Sequence, residues 1–225
     1  MTGARIPVTV LCAQYLANVS EGLRKALRLP AHCRSVALLS TDCDDATYIA
    51  LDEATKAANA DVVYARSLYA GAANATTKLA GEVIGILGGE NPSDVLSAMQ
   101  SAVRFLESGI GFRAANDAGD IVYLAHCVAS CGSYLARLAH VPVGQALAYL
   151  IAPPVKAIYA LDAALKAADV TLQSLFAPPS ETNFGGGLLT GTQSACKAAC
   201  DAFAAAVQAV AARPIDTGGM THGIG

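Results

Sequence analysis

The sequence predicts an α/β protein made of two copies of one domain, each an α+β sandwich with a short mixed sheet flanked by helices. Residues 50–59 (ALDEATKAAN) return 110 positions later (160 − 50) as residues 160–169 (ALDAALKAAD), with seven of the ten residues identical. A second pair, GILGG at 85–89 and GLLTG at 187–191, precedes a helical pattern in each half. A chain of 225 residues holds two compact domains, whereas solenoid repeats have periods of about 20–50 residues.

The repeat divides the chain into a first domain (residues 1–108), a second domain (109–213) and a Gly-rich tail (214–225). The tail is predicted to be disordered, as terminal segments often are.

The first half combines helical and strand patterns. Apolar residues at helical spacing over 11–29 predict an opening amphipathic helix, which Pro30 ends. Residues 68–79 follow neither period and predict a long loop, a kind of segment that is often functional. The other predicted elements are strands at 35–40, 61–67 and 81–89 and helices at 48–59 and 91–106, the last with Pro92 in its first turn.

The second half repeats this plan. Residues 177–187 predict a second long loop at the same place in the repeat as the first. The predicted elements are helices at 125–138, 155–168 and 194–211 and strands at 145–152, 171–176 and 188–191.

Composition excludes several classes of function. The chain is 54% hydrophobic and 15% charged, so it buries much of itself in a core or against neighbouring subunits. A net charge of −3 without a Lys/Arg cluster excludes nucleic-acid binding. The most apolar region, 141–165, contains the pair Pro153-Pro154 as well as Lys156 and Asp162, which argues against a membrane span. Seven cysteines without an apolar leader indicate reduced thiols in the cytoplasm.

The motifs do not predict an enzyme or a cofactor. The sequence contains no nucleophile elbow, Walker loop or Gly-x-Gly-x-x-Gly fingerprint. The alternative is a zinc-dependent enzyme, because the pairs Cys127/Cys131 and Cys196/Cys200 have i,i+4 spacing on predicted helices and His126 adjoins the first pair. Free Cys in Ala-rich helices more often packs in a core, so no metal site is predicted.

Several longer segments carry a family resemblance. The pattern Leu-Asp-x-x-x-Lys-Ala-Ala-[Asn/Asp] is followed in the first half by a strand and Gly-x-Val-x-Gly-x-Leu-x-Gly. Together with residues 42–50, 66–72, 178–184 and 190–200, these patterns resemble the tandem-domain shell proteins of ethanolamine-utilisation microcompartments over about residues 10–213. The resemblance implies two permuted bacterial microcompartment (BMC) domains in a non-enzymatic shell protein.

The same resemblance implies an assembly in a bacterial microcompartment, a cytoplasmic organelle. Homotrimers would form pseudo-hexameric disks, which tile with other shell proteins into facets and carry a gated central pore for metabolites. Lys56 and Lys166 would lie at the tile edge, where their apolar stems cross the neighbouring disk. The alternative for each is a solvated lysine on a helix face.

The resemblance also implies two sets of functional residues. The pore loops, 66–77 and 180–187, would contribute Ser67, Tyr69, Thr182, Asn183 and Phe184, and Gly185 to Gly187 would permit movement. The alternative is a pair of passive surface loops.

The second set would bind ethanolamine, with carboxylates for the ammonium and a hydroxyl group for the alcohol. The implied ligands are Asp45, Glu82, Phe112 and Thr182. Without the resemblance, Asp45 is a helix cap and Glu82 a solvent-facing strand residue. A small-molecule binding protein, in which this site is primary and assembly incidental, is the second alternative function.

Overall fold

The computed structural model describes residues 1–67, 83–177 and 184–216, which form two sheets and six helices. The first half contains β1 (Val10–Leu16), α1 (Glu21–Ala26), β2 (Ser35–Thr41), α2 (Asp44–Ala57), β3 (Asp61–Ser67), β4 (Val83–Gly89) and α3 (Pro92–Glu107). The second half contains β5 (Arg113–Ala114), β6 (Val122–Val128), α4 (Ser133–Ala139), β7 (Ala146–Ala152), α5 (Pro154–Ala167), β8 (Val170–Phe176), β9 (Gly185–Gly191) and α6 (Gln193–Ala212).

The two sheets have the same topology, which confirms the α/β fold class and the duplication. The strand order is β1-β2-β4-β3 in the first sheet and β6-β7-β9-β8 in the second, where β5 is added at the edge. The expectation of mixed sheets is wrong, because every strand pairing in the described ranges is antiparallel. Helix α2 does join two parallel strands, β2 and β3, but β4 inserts between them.

Two predicted helices are corrected by the structure. Residues 11–29 form edge strand β1 and short helix α1, and residues 125–138 form β6 and α4. In β1 both faces carry exposed apolar side chains, such as Leu11 and Leu16, so the strict alternation that marks a half-buried strand is absent. The other predicted elements occur within a few residues of their expected bounds.

Gly185 to Gly187 belong to strand β9 and not to a mobile loop, which corrects the second predicted loop. The strand lies between β7 and β8. A Cβ atom at Gly187 would lie 2.6 Å from the carbonyl oxygen of Ser174 on β8. These glycines therefore permit close approach of neighbouring backbones rather than movement.

Strand β7 shows how the core joins the two halves. Leu147, Tyr149 and Ile151 point into a large core that also contains residues of the first half. The alternate residues, such as Ala148 and Leu150, point into a second core under α5 and α6. The second sheet is therefore covered on both faces, and one of its covers is the first half of the chain.

The N-terminal segment also connects the halves. The Ile6 amide donates to the Phe112 carbonyl oxygen at 2.8 Å, and Arg5 forms a bridge with Arg113 of β5. The division at residues 108/109 stays a prediction, and residues 217–225 of the predicted tail lie outside the described residues.

Among the described residues, helix α6 alone is both long enough and apolar enough to span a membrane, judged by length and composition. One of its faces is buried in the second core through six residues at helical spacing: Cys196, Ala199, Cys200, Phe203, Ala206 and Val207. This pattern is that of a core helix in a globular domain.

Asp52 of α2 forms the central polar contact between the halves. Its carboxylate accepts hydrogen bonds from the amides of Gly132 (2.6 Å) and Leu135 (2.8 Å) at the start of α4. Thr55 accepts a third, from the amide of Ser133. Burial raises the pKa of Asp52 despite these bonds. The contact is tight, since a Cβ at Gly132 would lie 2.6 Å from the Asp52 carbonyl oxygen.

We predict that Asp52→Ala lowers the free energy of unfolding by about 2–4 kcal/mol, because two buried amides lose their acceptor. Urea denaturation at fixed protein concentration measures the change. The matched control is Asp201→Ala, which removes an exposed carboxylate from an i,i+4 pair with Lys197 and should change stability by less than about 0.5 kcal/mol. Equal effects of the two substitutions would contradict the capping role.

Candidate functional site: an acidic pocket between the two halves

A cavity of about 430 Å³ lies between the two halves of the chain. Its walls come from the start of α2, the end of β3, helix α4 and strands β7 and β8. Five of the lining side chains are aromatic: Tyr48, Tyr134, Tyr149, Phe176 and Phe184. The only charged lining residues in the described part of the chain are Asp44 and Asp45. The cavity is therefore an aromatic pocket with one acidic end.

The acidic end is built by the first turn of α2. Carboxylates are favoured there because the amide groups at a helix start carry partial positive charge. The Asp45 amide donates to Asp44 Oδ1 at 2.8 Å, and the Tyr149 hydroxyl donates to Asp45 Oδ1 at 2.9 Å. Asp44 thus accepts a hydrogen bond from the neighbouring backbone amide, whereas Asp45 accepts one from Tyr149 in the second half of the chain.

The two carboxyl groups share a low-dielectric environment. Both are buried, with exposures of 4% for Asp44 and 6% for Asp45. Burial raises the pKa of Asp44, and burial together with the Asp44 charge raises the pKa of Asp45 well above its usual range. Two carboxylates this close disfavour each other's ionised form, and a bound cation would offset that repulsion.

No basic side chain in the described ranges forms an ion pair with this acidic pair. A buried carboxyl pair beside aromatic rings attracts a small organic cation through charge and through the ring faces. The pocket is suited to a compact ammonium ligand.

The structure brings together three of the predicted site residues. Asp45, Ser67 and Phe184 all line the pocket. Phe112 lies behind the wall, with its ring centroid 5.2 Å from that of Phe184. Glu82, Tyr69, Thr182 and Asn183 lie outside the described residues.

Sequence reasoning missed the tyrosines that complete the pocket. Tyr149 is a core residue of β7 that hydrogen-bonds to Asp45 across 104 positions of sequence. Tyr134 lies on α4 with its ring centroid 6.2 Å from that of Tyr48. Neither residue belongs to a motif, and their spacing from Asp45 carries no signal, because only the contact between the halves places them there.

The two predicted edge lysines have different environments. The Lys56 ammonium donates to the Ser130 carbonyl oxygen at 2.8 Å and pairs with Glu53, and its side chain is 29% exposed. Lys166 pairs with Asp162 at 2.6 Å, and its side chain is 75% exposed. Lys56 therefore binds the second half of its own chain, whereas the more exposed Lys166 is free to contact another molecule beside its pair with Asp162.

One of the two cysteine pairs differs from its prediction. Cys127 is in strand β6 and Cys131 follows it, so this pair does not share a helix face. Cys131 donates to the Pro142 carbonyl oxygen at 3.5 Å, and burial raises its pKa. Cys196 and Cys200 do lie on α6, where both are buried. Within the described residues, no group of three or more Cys, His, Asp or Glu side chains is arranged to hold a metal ion.

Comparison with known proteins agrees with this architecture. The model of the BMC domain matches residues 35–115. The chain is 60% identical over 206 residues to the bacterial microcompartment shell protein EutL of Clostridium perfringens, covering 92% of this chain and 95% of that protein. A crystal structure of EutL from C. perfringens superposes with a TM-score of 0.91 at 58% identity, covering 96% of this chain and 99% of that one.

A second crystal structure, of the ethanolamine utilization protein EutL from Leptotrichia buccalis, gives a TM-score of 0.91 at 57% identity over 96% of this chain and 100% of that one. The duplicated fold and these matches define a tandem BMC-domain shell protein. The chain belongs to the EutL family of bacterial microcompartment shell proteins, and its place is the shell of such a compartment.

We predict that Asp45→Asn stabilises the protein at pH 8 by about 1 kcal/mol, because it removes a poorly solvated acid while preserving size. The pKa of Asp45 is higher in the folded protein than in the unfolded chain, so ionising the buried carboxyl group destabilises the fold. This loss of stability is absent below the unfolded-state pKa and is complete once the pH has risen through the folded-state pKa. The stabilisation should therefore shrink toward pH 4. Urea denaturation at both pH values measures it, and a loss of stability at pH 8 would contradict the assignment.

Proposed function

We propose that this chain is a non-enzymatic tile of the shell. Three copies would form a disk of six domains, and disks would pack with other shell proteins into a flat facet. The duplicated topology supports this arrangement, because the two halves of one chain already meet as neighbouring domains of such a disk would meet. A central pore gated by the predicted loops would pass metabolites. Ser67 and Phe184 lie where the described residues border these loops.

We also propose that the pocket binds ethanolamine. Its ammonium would contact Asp44 and Asp45, and the aromatic walls would enclose its carbon atoms. Glu82 and Thr182, which the resemblance adds to the site, remain part of this proposal, and Phe112 supports Phe184 from behind. The buried acidic pair at one end of an aromatic pocket is the observation on which the proposal rests.

The first experiment measures the mass of the protein in solution and images concentrated protein by electron microscopy. We expect a trimer near 3 × 22.8 = 68.4 kDa that forms flat hexagonal arrays. Lys166→Asp should abolish the arrays and keep the trimer, and the exposed Lys197→Asp serves as the matched control. Lys56→Asp tests the other predicted edge lysine, but it also removes the bond to Ser130 within the chain.

A protein that stays monomeric or dimeric and never tiles would contradict the shell assembly. Ethanolamine binding without tiling would instead favour the alternative function, a small-molecule binding protein.

The second experiment measures ethanolamine binding by calorimetry between pH 6 and pH 8. A cation binds the ionised pair, so binding releases a proton, and the affinity should rise by up to about tenfold per pH unit while the pair is protonated. Asp45→Asn should abolish binding, and Asp201→Asn should not change it. An affinity independent of pH, or binding retained in Asp45→Asn, would contradict a site at the acidic pair.

A further inference from the structure

A second cavity, of about 230 Å³, lies beside the end of α3 and the start of β5, and it shares no lining residue with the acidic pocket. We propose that this cavity binds a small oxyanion, a carboxylate or a phosphate, which the guanidinium groups of Arg5 and Arg113 hold against the loop at 109–111. The site has the opposite charge to the acidic pocket, so it goes beyond both the shell function and the ethanolamine site.

Two arginines lie opposite each other beside this cavity. Arg5 forms an antiparallel β-bridge with Arg113, and side chains that are opposite in such a pair share one face. Like charges placed in this way destabilise the pairing. Among the residues that the structure describes, neither arginine forms an ion pair with a carboxylate, and Arg113 donates only to the Gly3 carbonyl oxygen, at 3.2 Å. A bound anion would offset this repulsion.

The two guanidinium groups are placed at one loop. A Cβ atom at Gly109 would overlap Arg5 Nη1, so the Arg5 side chain lies directly against the backbone of a cavity-lining residue. Gly109 has a φ of 116°, which L side chains rarely adopt, so glycine permits both this turn and the close approach. Arg113 lines the cavity itself. Both cations are therefore within reach of a ligand in the cavity.

The backbone of the cavity adds hydrogen-bond donors. The antiparallel pairing of β5 with β6 stops before the loop at 109–111. Hydrogen-bonding positions alternate along such a pair, and the Ala115 amide donates to the Ile121 carbonyl oxygen at 2.7 Å. Four residues later, Ala125 is again at such a position, so its amide and carbonyl groups face the cavity. The last two amides of the loop also have no acceptor within the described part of the chain.

The side walls restrict the size of the ligand. The rings of His126 and Phe105 line the cavity in edge contact, with centroids 6.0 Å apart. Burial lowers the pKa of His126, so the ring is neutral at pH 7 and supplies one N–H donor. A volume of about 230 Å³ is below the range of about 300–1,000 Å³ that is usual for drug-sized ligands, so the cavity suits a compact anion.

The alternative is that Arg5 serves only to stabilise the end of α3, where carbonyl groups carry partial negative charge. That role predicts that Arg5→Gln destabilises the protein in chloride buffer. An anion site predicts that the same substitution costs no stability in chloride, because it also removes the repulsion from Arg113.

Calorimetry on the full-length chain tests the site, with inorganic phosphate and acetate as separate probes at constant ionic strength. We expect millimolar binding of at least one probe, and the preferred probe identifies the source of the oxyanion. Arg113→Gln should weaken binding roughly tenfold or more, because a charge-assisted hydrogen bond is lost. Arg113→Lys should also weaken it, since lysine lacks the planar fork of donors. Arg28→Gln, which removes the arginine after α1, is the matched control and should leave the affinity unchanged.

Thermal unfolding supplies a second readout. The better-bound probe should raise the Tm of the wild-type chain above its value in chloride, and Arg5→Gln and Arg113→Gln should lose this shift. Binding of neither probe, or binding that ignores all three arginine substitutions at the site, would overturn the inference. A lower Tm of Arg5→Gln in chloride with the probe-induced shift retained would also overturn it, in favour of the helix-end role. Each of these results would leave the proposed shell assembly standing.

Discussion

The structure depends on one polar contact, between the Asp52 carboxylate and the first amides of α4. A buried carboxylate is stable only when its oxygens accept hydrogen bonds, and a helix start provides several amides in one direction. Asp52 therefore fixes α2 on the second half. Asp45, two turns earlier on the same face, is then held against Tyr149, so the contact that joins the halves also builds the acidic pocket.

Helix α5 repeats helix α2 but lacks the acidic residues at its start. Asp52 and Lys56 recur as Asp162 and Lys166, but the acidic pair at the start of α2 is replaced by Pro154 and Val155 at the start of α5. Among the described residues the acidic pair therefore has no counterpart in the second half, whereas Asp52 and Lys56 have counterparts in Asp162 and Lys166.

The sequence predicted the fold where its repeat retained identities, around α2 and α5. It failed at β1 and β6, which it merged with α1 and α4 into single helices, because the repeat there is carried by little more than Leu23/Leu135 and a proline after each helix. The site was predicted in part. The resemblance assigned Asp45 to a ligand site and Ser67 and Phe184 to pore loops, whereas all three line one pocket in the structure. Tyr149 became visible only in three dimensions, because its contact with Asp45 depends on two distant segments meeting.

Burial accounts for the composition of the chain. The second sheet is covered on both faces, by α5 and α6 on one side and by the first half on the other. The first sheet has a small cluster on its outer face, Val19, Val36 and Ile86, and exposed neighbours such as Ile84. A chain this poor in charge leaves that face apolar, and an uncovered apolar face favours association. The exposed side chains of this face are of the same apolar kind as those that the contact between the halves buries.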